Sequence, residues 1–158
     1  MILVSACLCG VNCKYDGNNN LNEYIYELLK QGKLVPVCPE QLGGMSTPRH
    51  PSEIVGGSAK DVLEGKAKVI NKKGEDVTRF FVKGAYETLN IARTFNCKAA
   101  ILKAKSPSCG SGKIYDGTFE GRLIDGNGIT SELLIKNGVE VIDETDVAAI
   151  KDIVERMS

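Results

Sequence analysis

The chain has 158 residues, a length that suits one hydrophobic core, and we expect residues 1–158 to form a single domain. Hydrophobic residues make up 42% of the chain and charged residues 25%, as in an ordinary globular protein. The 20 basic residues balance the 20 acidic ones, which argues against polymeric nucleic acid or an anionic membrane as a partner.

The first predicted elements are a strand, a helix and a second strand. The apolar run Ile2–Ser5 predicts a buried strand. Beyond Gly17, apolar side chains recur at helical spacing, with Asn20 as the expected cap and Gly32 as the stop. Leu34–Val37 predicts the second strand, although its proline cannot donate a hydrogen bond to a neighbouring strand.

The middle of the chain predicts a hairpin followed by a long helix. Residues 65–77, GKAKVINKKGEDV, are typical of a small hairpin that turns at Gly74. Thr78 is the expected cap of the helix that follows. One face of this helix is apolar and consists of Phe81, Ala85, Leu89 and Ala92.

The last third of the chain repeats the alternation of strand and helix. Ala99–Leu102 predicts a third strand, residues 139–142 a fourth, and residues 147–157 a closing amphipathic helix. Between the two strands, a helix is expected from about Thr130, with Ile129 and Leu134 placed as a hydrophobic staple. The alternation predicts an α/β, Rossmann-like three-layer fold with a small, mostly parallel sheet of about four strands and a hairpin excursion.

The chain has six cysteines but no pattern of a secreted protein. Its first apolar run lacks the preceding basic segment of a signal peptide, and no apolar stretch is long enough to span a membrane. We therefore expect a cytoplasmic location. In that reducing compartment, cysteines are more typical of thiols or metal ligands than of disulfides.

Three of the cysteines follow predicted strands: Cys7, Cys38 and Cys109. Because the carboxyl ends of parallel strands lie at one edge of a sheet, we expect these thiols to converge in one crevice. Three thiols without a matching histidine do not suit a closed zinc site, which needs four ligands. They suit an iron–sulfur cluster with one iron left open. Alternatively, the three cysteines are simply small residues that pack well when buried.

Three segments resemble the signature motifs of the 2-thiouracil desulfidase family, in its short single-domain form. They are SACLCGVNCKYDG (5–17), VCPEQLGGMSTPR (37–49) and KSPSCG (105–110), and FEGRLIDGNGIT (119–130) looks like a fourth. The resemblance implies a [4Fe–4S] cluster held by Cys7, Cys38 and Cys109, with one iron that no cysteine binds. Cys9 and Cys13 depart from the usual motif or vary in it, and are not expected to be ligands.

The resemblance also implies a reaction and a partner. The reaction is the non-redox hydrolysis of the thiocarbonyl of a thiolated pyrimidine such as 2-thiouracil, which yields a carbonyl and sulfide. The partner is then a small thiolated nucleobase, which binds through its sulfur to the open iron.

Three residues are candidates for proton transfer: Glu40, Ser106 and Asp16. Glu40, two residues after Cys38, is the candidate general base or proton shuttle, unless it only pairs with a neighbouring arginine. Ser106 could stabilise a developing oxyanion or satisfy loop amides. Asp16 could orient water, but Asp–Gly pairs are equally typical of turns.

Three further residues are candidates for substrate binding: Ser108, Arg49 and Ser5. Ser108 and Ser5 carry hydroxyls beside predicted ligand loops. Arg49 could neutralise the charge of the cluster or bind a substrate oxygen, or form an ordinary ion pair.

Two other functions compete with the enzyme. A non-catalytic module could use zinc or a cluster for folding or sensing. A thiol redox protein is poorly supported, since the chain contains no C-x-x-C pair.

Overall fold

The computed structural model describes residues 1–157. In chain order, its elements are β1 (Ile2–Ser5), α1 (Glu23–Lys30), β2 (Leu34–Val37), α2 (Pro39–Leu42), β3 (Ser52–Val55), α3 (Ala59–Leu63), β4 (Lys68–Asn71), α4 (Thr78–Thr94), β5 (Ala99–Leu102), β6 (Lys113–Tyr115), β7 (Leu123–Asp125), α5 (Ile129–Lys136), β8 (Glu140–Asp143) and α6 (Val147–Arg156). A 3₁₀ turn, Ala6–Cys9, directly follows β1.

A four-stranded parallel sheet with the strand order β2-β1-β5-β8 forms the centre of the fold. β1 and β5 are buried along their whole length, as expected of parallel strands covered on both faces. Pro36 is accommodated because β2 is an edge strand and this residue is exposed. The prediction of a mostly parallel sheet of about four strands is confirmed.

Helices cover both faces of the sheet, so the predicted three-layer arrangement is confirmed as well. On one face, Leu3 and Ala100 pack with apolar side chains of α4 and α5. On the other, Val4 and Ile101 pack with apolar side chains of α1 and α6. Successive strand residues therefore point to opposite cores, as the period of a strand requires. No helix within residues 1–157 combines the length and apolar character needed to cross a membrane.

The strand order reverses next to β1. The chain passes from β1 to β2 on one side and later returns to β5 on the other side of β1. In open parallel sheets, ligands bind at the carboxyl ends of strands where the order reverses in this way. The loops after β1, β2 and β5 carry Cys7, Cys38 and Cys109, so the topology brings all three to this edge.

Two antiparallel hairpins flank the sheet, and only one was expected. In the predicted hairpin, the chain does turn at Gly74. Residues 75–77 return along β4 with hydrogen bonds from Asn71 to Glu75 and from Val77 to Val69, but they form only an isolated bridge, Ile70 to Asp76, and no strand. The principal partner of β4 is β3, which lies upstream beyond α3. The sequence conceals β3 because two of its four residues, Ser52 and Glu53, are buried although polar. β6 and β7 form the second hairpin.

The first helix begins later than the sequence suggested. Its cap is Asn22, whose side chain accepts a hydrogen bond from the Ile25 amide at 3.1 Å, and the prediction of Asn20 is wrong. Leu21 consequently stays outside the helix and is 51% exposed. The Asn20 amide instead donates to the Cys7 carbonyl at 2.9 Å, which fixes this asparagine beside the turn that carries Cys7.

Two other helix starts are also shifted. Thr78 is the first residue of α4, after the cap Val77, and its hydroxyl accepts a hydrogen bond from the Val69 amide at 2.9 Å. α5 starts at Ile129 with Gly128 as its cap, so the predicted staple is wrong. Ile129 and Leu134 are both fully buried, which is why their spacing suggested a staple.

Candidate active site

A cavity of about 620 Å³ opens at the carboxyl edge of the central sheet. Its volume falls within the range of small-molecule sites. Cys7, Cys38 and Cys109 all line it, together with Cys13. The structure therefore brings the three predicted ligands to one cavity from three separate loops.

Cys7 lies in the 3₁₀ turn that follows β1, and its thiol is half-buried. Burial raises the pKa of this thiol, while a hydrogen bond from the Asn20 side chain acts in the opposite direction. The turn ends at Gly10, where φ is +87°, a backbone conformation that glycine adopts without strain. Asn20 is thus a neutral hydrogen-bond donor to this sulfur.

Cys38 is the residue that precedes α2, and the Gln41 amide of that short helix donates a hydrogen bond to its sulfur. The pKa of the Cys38 thiol lies below its ordinary value, chiefly because of a hydrogen bond with the Cys13 side chain. Cys38 Sγ also donates to the Cys13 carbonyl at 3.8 Å. The position of α2 is fixed by α4. A Cβ atom added to Gly84 would lie 2.0 Å from the Pro39 carbonyl oxygen.

Cys109 is the most buried of the three thiols, and burial raises its pKa well above the ordinary value. The Ser5 side chain hydrogen-bonds to its sulfur. Its loop is held by hydrogen bonds at both ends. Ser106 Oγ accepts from the Ser108 and Cys109 amides, each at 3.1 Å, and Ser131 Oγ donates to the Cys109 carbonyl at 2.7 Å.

The donor set at the cavity has the chemistry of an iron–sulfur site. The thiols act on one another electrostatically, since the charge of Cys38 raises the pKa of both Cys7 and Cys109. Within residues 1–157, however, no three His, Cys, Asp or Glu side chains are grouped closely enough to hold one metal ion. In a cluster each thiolate binds a different iron, so the ligands can stand further apart around a larger core. Three thiols on separate loops around one cavity are the type of donor set that such a cluster takes.

Glu40 and Arg49 meet at the cavity and form the ion pair that the sequence left as an alternative. Their closest atoms, Oε2 and Nη2, are 3.4 Å apart, and both residues line the cavity. Arg49 Nη2 also donates to the Cys13 carbonyl at 2.9 Å.

The three candidate serines differ in their surroundings. Ser106 lines the cavity, and because its oxygen accepts two amides, its hydroxyl hydrogen is left to donate elsewhere. Ser5 lines the cavity but is engaged: its Oγ accepts the Lys103 amide at 2.9 Å as well as contacting Cys109. Ser108 is fully buried, hydrogen-bonds to Thr130 at 2.8 Å and does not line the cavity.

Asp16, Cys9 and Cys97 are not among the residues that line the cavity. Asp16 is exposed and accepts a hydrogen bond from the Asn18 amide at 3.0 Å, as in a turn. Cys9 packs in the core beneath the first ligand loop, and burial raises its pKa to about 11. Cys97 is buried in the core on the opposite face of the sheet, as expected.

Three residues of the site were missed in the sequence. Asn20 was interpreted as a helix cap. Lys103, the residue directly after β5, lines the cavity and forms an ion pair with Glu144 at 2.8 Å. Ser52 also lines the cavity, and its buried Oγ has no hydrogen-bond partner within residues 1–157. The position of Lys103 at the end of a parallel strand was the signal that could have identified it.

A family model, a related protein and a solved structure each match nearly the whole chain. The family model described as 2-thiouracil desulfurase matches residues 2–146. The protein YbbK of Bacillus subtilis (strain 168) is 51% identical over 147 residues, which cover 93% of this chain and 97% of that protein. A solved structure of the [4Fe–4S]-dependent thiouracil desulfidase TudS superposes with a TM-score of 0.86 at 36% identity. The match covers 98% of this chain and 97% of that one.

Proposed function

This chain is a member of the 2-thiouracil desulfurase family, and from that premise we propose that it is a [4Fe–4S]-dependent desulfidase. It hydrolyses the thiocarbonyl of a thiolated pyrimidine such as 2-thiouracil. The observation that carries this proposal is the meeting of Cys7, Cys38 and Cys109 at one cavity of small-molecule size. The likeness to the TudS structure supports the same chemistry.

The three cysteines are the ligands that we propose for the cluster, with one iron that no cysteine binds. The cluster supplies a Lewis acid that favours the soft sulfur of the substrate. Each proposed ligand has a neutral hydrogen-bond donor beside it: the Asn20 side chain for Cys7, the Gln41 amide for Cys38 and the Ser5 hydroxyl for Cys109. Such donors hold thiolates in place and compensate their charge, as partners of metal ligands generally do.

Glu40 is the general base that we propose. The overall reaction converts a thiocarbonyl and one water into a carbonyl and hydrogen sulfide, with no electron gained or lost. The water must lose one proton as its oxygen bonds to carbon and a second as the carbonyl forms, and both protons leave with the sulfur as hydrogen sulfide. Glu40 lines the cavity two residues from Cys38 and is oriented by Arg49, so it is placed to move these protons.

Hydroxyl groups on two walls of the cavity are proposed to bind the heterocycle. Ser106 has a hydroxyl hydrogen free to donate to a substrate oxygen or to the oxyanion that forms at the attacked carbon. Ser52 supplies an unpartnered hydroxyl on the opposite hairpin. Ser5 and Ser108 act on the protein instead, because their oxygens already have partners.

The proposed partner is a small thiolated nucleobase, and the proposed location is the cytoplasm. All six cysteines are free thiols in the structure, which suits a reducing compartment. The absence of a global charge excess favours a small molecule over polymeric nucleic acid.

The test is a sulfide-release assay on 2-thiouracil with protein reconstituted with iron and sulfide without oxygen. We expect equal amounts of uracil and sulfide, formed without added reductant or oxidant. The Cys97→Ala variant is the matched control and should keep its activity, because this cysteine lies in the core away from the cavity. Protein that holds a cluster but releases no sulfide would support a binding or sensing module instead.

A further inference from the structure

A lysine and a glutamate form a fixed ion pair at the edge of the cavity. Lys103 Nζ lies 2.8 Å from Glu144 Oε1 and donates to the Ala104 carbonyl at 3.3 Å. Glu144 Oε2 in turn accepts the Ala104 amide at 2.8 Å. The two side chains are 29% and 15% exposed, so the pair is much better shielded from water than a surface ion pair.

The backbone places this pair next to the proposed ligands. Lys103 follows β5 and Glu144 follows β8, so the fourth strand of the sheet also contributes to the site. The Lys103 amide donates to Ser5 Oγ at 2.9 Å, and the same hydroxyl hydrogen-bonds to Cys109. The charge of Lys103 also acts on Cys7, whose thiolate it favours. Lys103 thus lines the same cavity as the three proposed ligands, its charge acts on Cys7, and its backbone is linked to Cys109 through Ser5.

Other cations at the cavity differ from Lys103 in how they are held. Lys72 and Lys105 line the cavity and are exposed, and Lys14, which also lines it, is 33% exposed and pairs at 3.6 Å with Asp16. Arg49 is buried and, like Lys103, paired with a carboxylate, but it already has the proposed role of orienting Glu40. Lys103 combines a fixed position with partial burial, the two conditions under which a charge acts strongly on its neighbours.

We propose that Lys103, held in place by Glu144, is a positioning residue that stabilises the negative charge of the cluster and of the departing sulfide. This inference rests on the proposed function. Because a fixed cation does not have to reorganise, it can stabilise a charge that develops during the reaction. It also makes the addition of an electron to a nearby cluster easier, so the reduction potential reports its effect independently of activity.

The test compares Lys103→Gln, which keeps a hydrogen-bond donor but removes the charge, with Lys103→Arg, which keeps the charge. We expect Lys103→Gln to shift the potential of the bound cluster to more negative values. We also expect it to lower kcat about tenfold with KM changed less than about twofold. Lys103→Arg should keep a reduction potential and a kcat close to those of wild type. Lys72→Met, which removes an exposed cation from the same cavity, is the matched control and should leave the potential unchanged.

The outcomes separate this inference from the function on which it rests. If wild-type protein binds a cluster and releases sulfide while Lys103→Gln has the same potential and kcat, the role of Lys103 is overturned and the function stands. If wild-type protein releases no sulfide, the proposed function itself fails. If Lys103→Gln does not fold, Lys103→Arg decides: wild-type potential and kcat support the inference, and a marked shift in either contradicts it.

Discussion

Arg49 joins two of the proposed ligand loops through one guanidinium group, because its Nη2 atom contacts both Glu40 Oε2 at 3.4 Å and the Cys13 carbonyl at 2.9 Å. Its Nη1 atom donates to Thr47 Oγ1 at 2.9 Å, which holds the arginine in its own loop. The side chains of Arg49 and Glu40 are only 7% and 16% exposed. The loop after β1 and the loop after β2 are therefore fixed relative to each other by a single buried cation.

The Arg49→Leu variant should be substantially less stable than wild type. The substitution leaves a shielded carboxylate and a carbonyl without their donor, and we expect the free energy of unfolding to fall by about 2–3 kcal/mol. Urea unfolding of the cluster-free protein measures this difference. Arg122→Leu is the control. It breaks an exposed ion pair with Glu120, 3.0 Å long, and should cost less than about 0.5 kcal/mol. Equal effects of the two substitutions would contradict the fixing role of Arg49.

The Glu40→Gln variant should fold and bind iron but release sulfide at least about 100-fold more slowly, because the amide cannot accept the proton from water. The rate with 2-thiouracil is compared with that of Asp16→Asn. Asp16 does not line the cavity, and its carboxylate serves a turn, so this control should stay within about twofold of wild type. A faster reaction of Glu40→Gln than of Asp16→Asn would contradict the assignment.

The Gly84→Ala variant should be strongly destabilised, although alanine normally favours a helix interior by about 1 kcal/mol. Its Cβ would lie 2.0 Å from the Pro39 carbonyl oxygen, so α2 must move away from α4. We expect a loss of at least about 3 kcal/mol in thermal or urea unfolding, together with weaker iron binding, because α2 begins directly after Cys38. Gly65→Ala, at φ +78° with open space around it, should cost about 1–2 kcal/mol and leave iron binding intact.

Asn22 should act as the cap of α1, whereas Asn20, the cap expected from the sequence, should act on Cys7 instead. Asn22→Ala removes the cap of α1 and should lower the free energy of unfolding by about 1 kcal/mol without altering iron retention. Asn20→Ala removes the donor to Cys7, so we expect the cluster to lose iron to a chelator about tenfold faster. If Asn20→Ala lowered the free energy of unfolding and Asn22→Ala weakened iron retention, Asn20 would be the cap in solution.

The fold could be predicted well where a segment is apolar throughout or strictly periodic. β1, β2 and β5 were predicted at the residues where they occur, because buried parallel strands form continuous apolar runs. β3 could not be predicted in this way, since its buried Glu53 is satisfied by amides of Gly117 and Phe119 that are more than 60 residues away. Contacts at such separation leave no local pattern.

The site, like the fold, could be predicted only in part. That Cys7, Cys38 and Cys109 share a cavity followed from the rule for parallel strands, which needs only the strand positions. The partners of their sulfurs did not follow from it. Asn20 lies in a run of three asparagines, and no local signal shows which of these side chains turns towards Cys7. The single-domain organisation stays a prediction.

The central claim is that three thiols from separate loops hold one cluster, and iron and acid-labile sulfide analysis of protein prepared without oxygen tests it most directly. We expect about four iron atoms and four sulfides per wild-type chain, and a marked loss of both in Cys7→Ala, Cys38→Ala and Cys109→Ala. Cys13→Ala, which removes the thiol beside Cys38, should retain its iron. Full iron content in Cys109→Ala, or one zinc ion per wild-type chain in place of iron, would contradict the account.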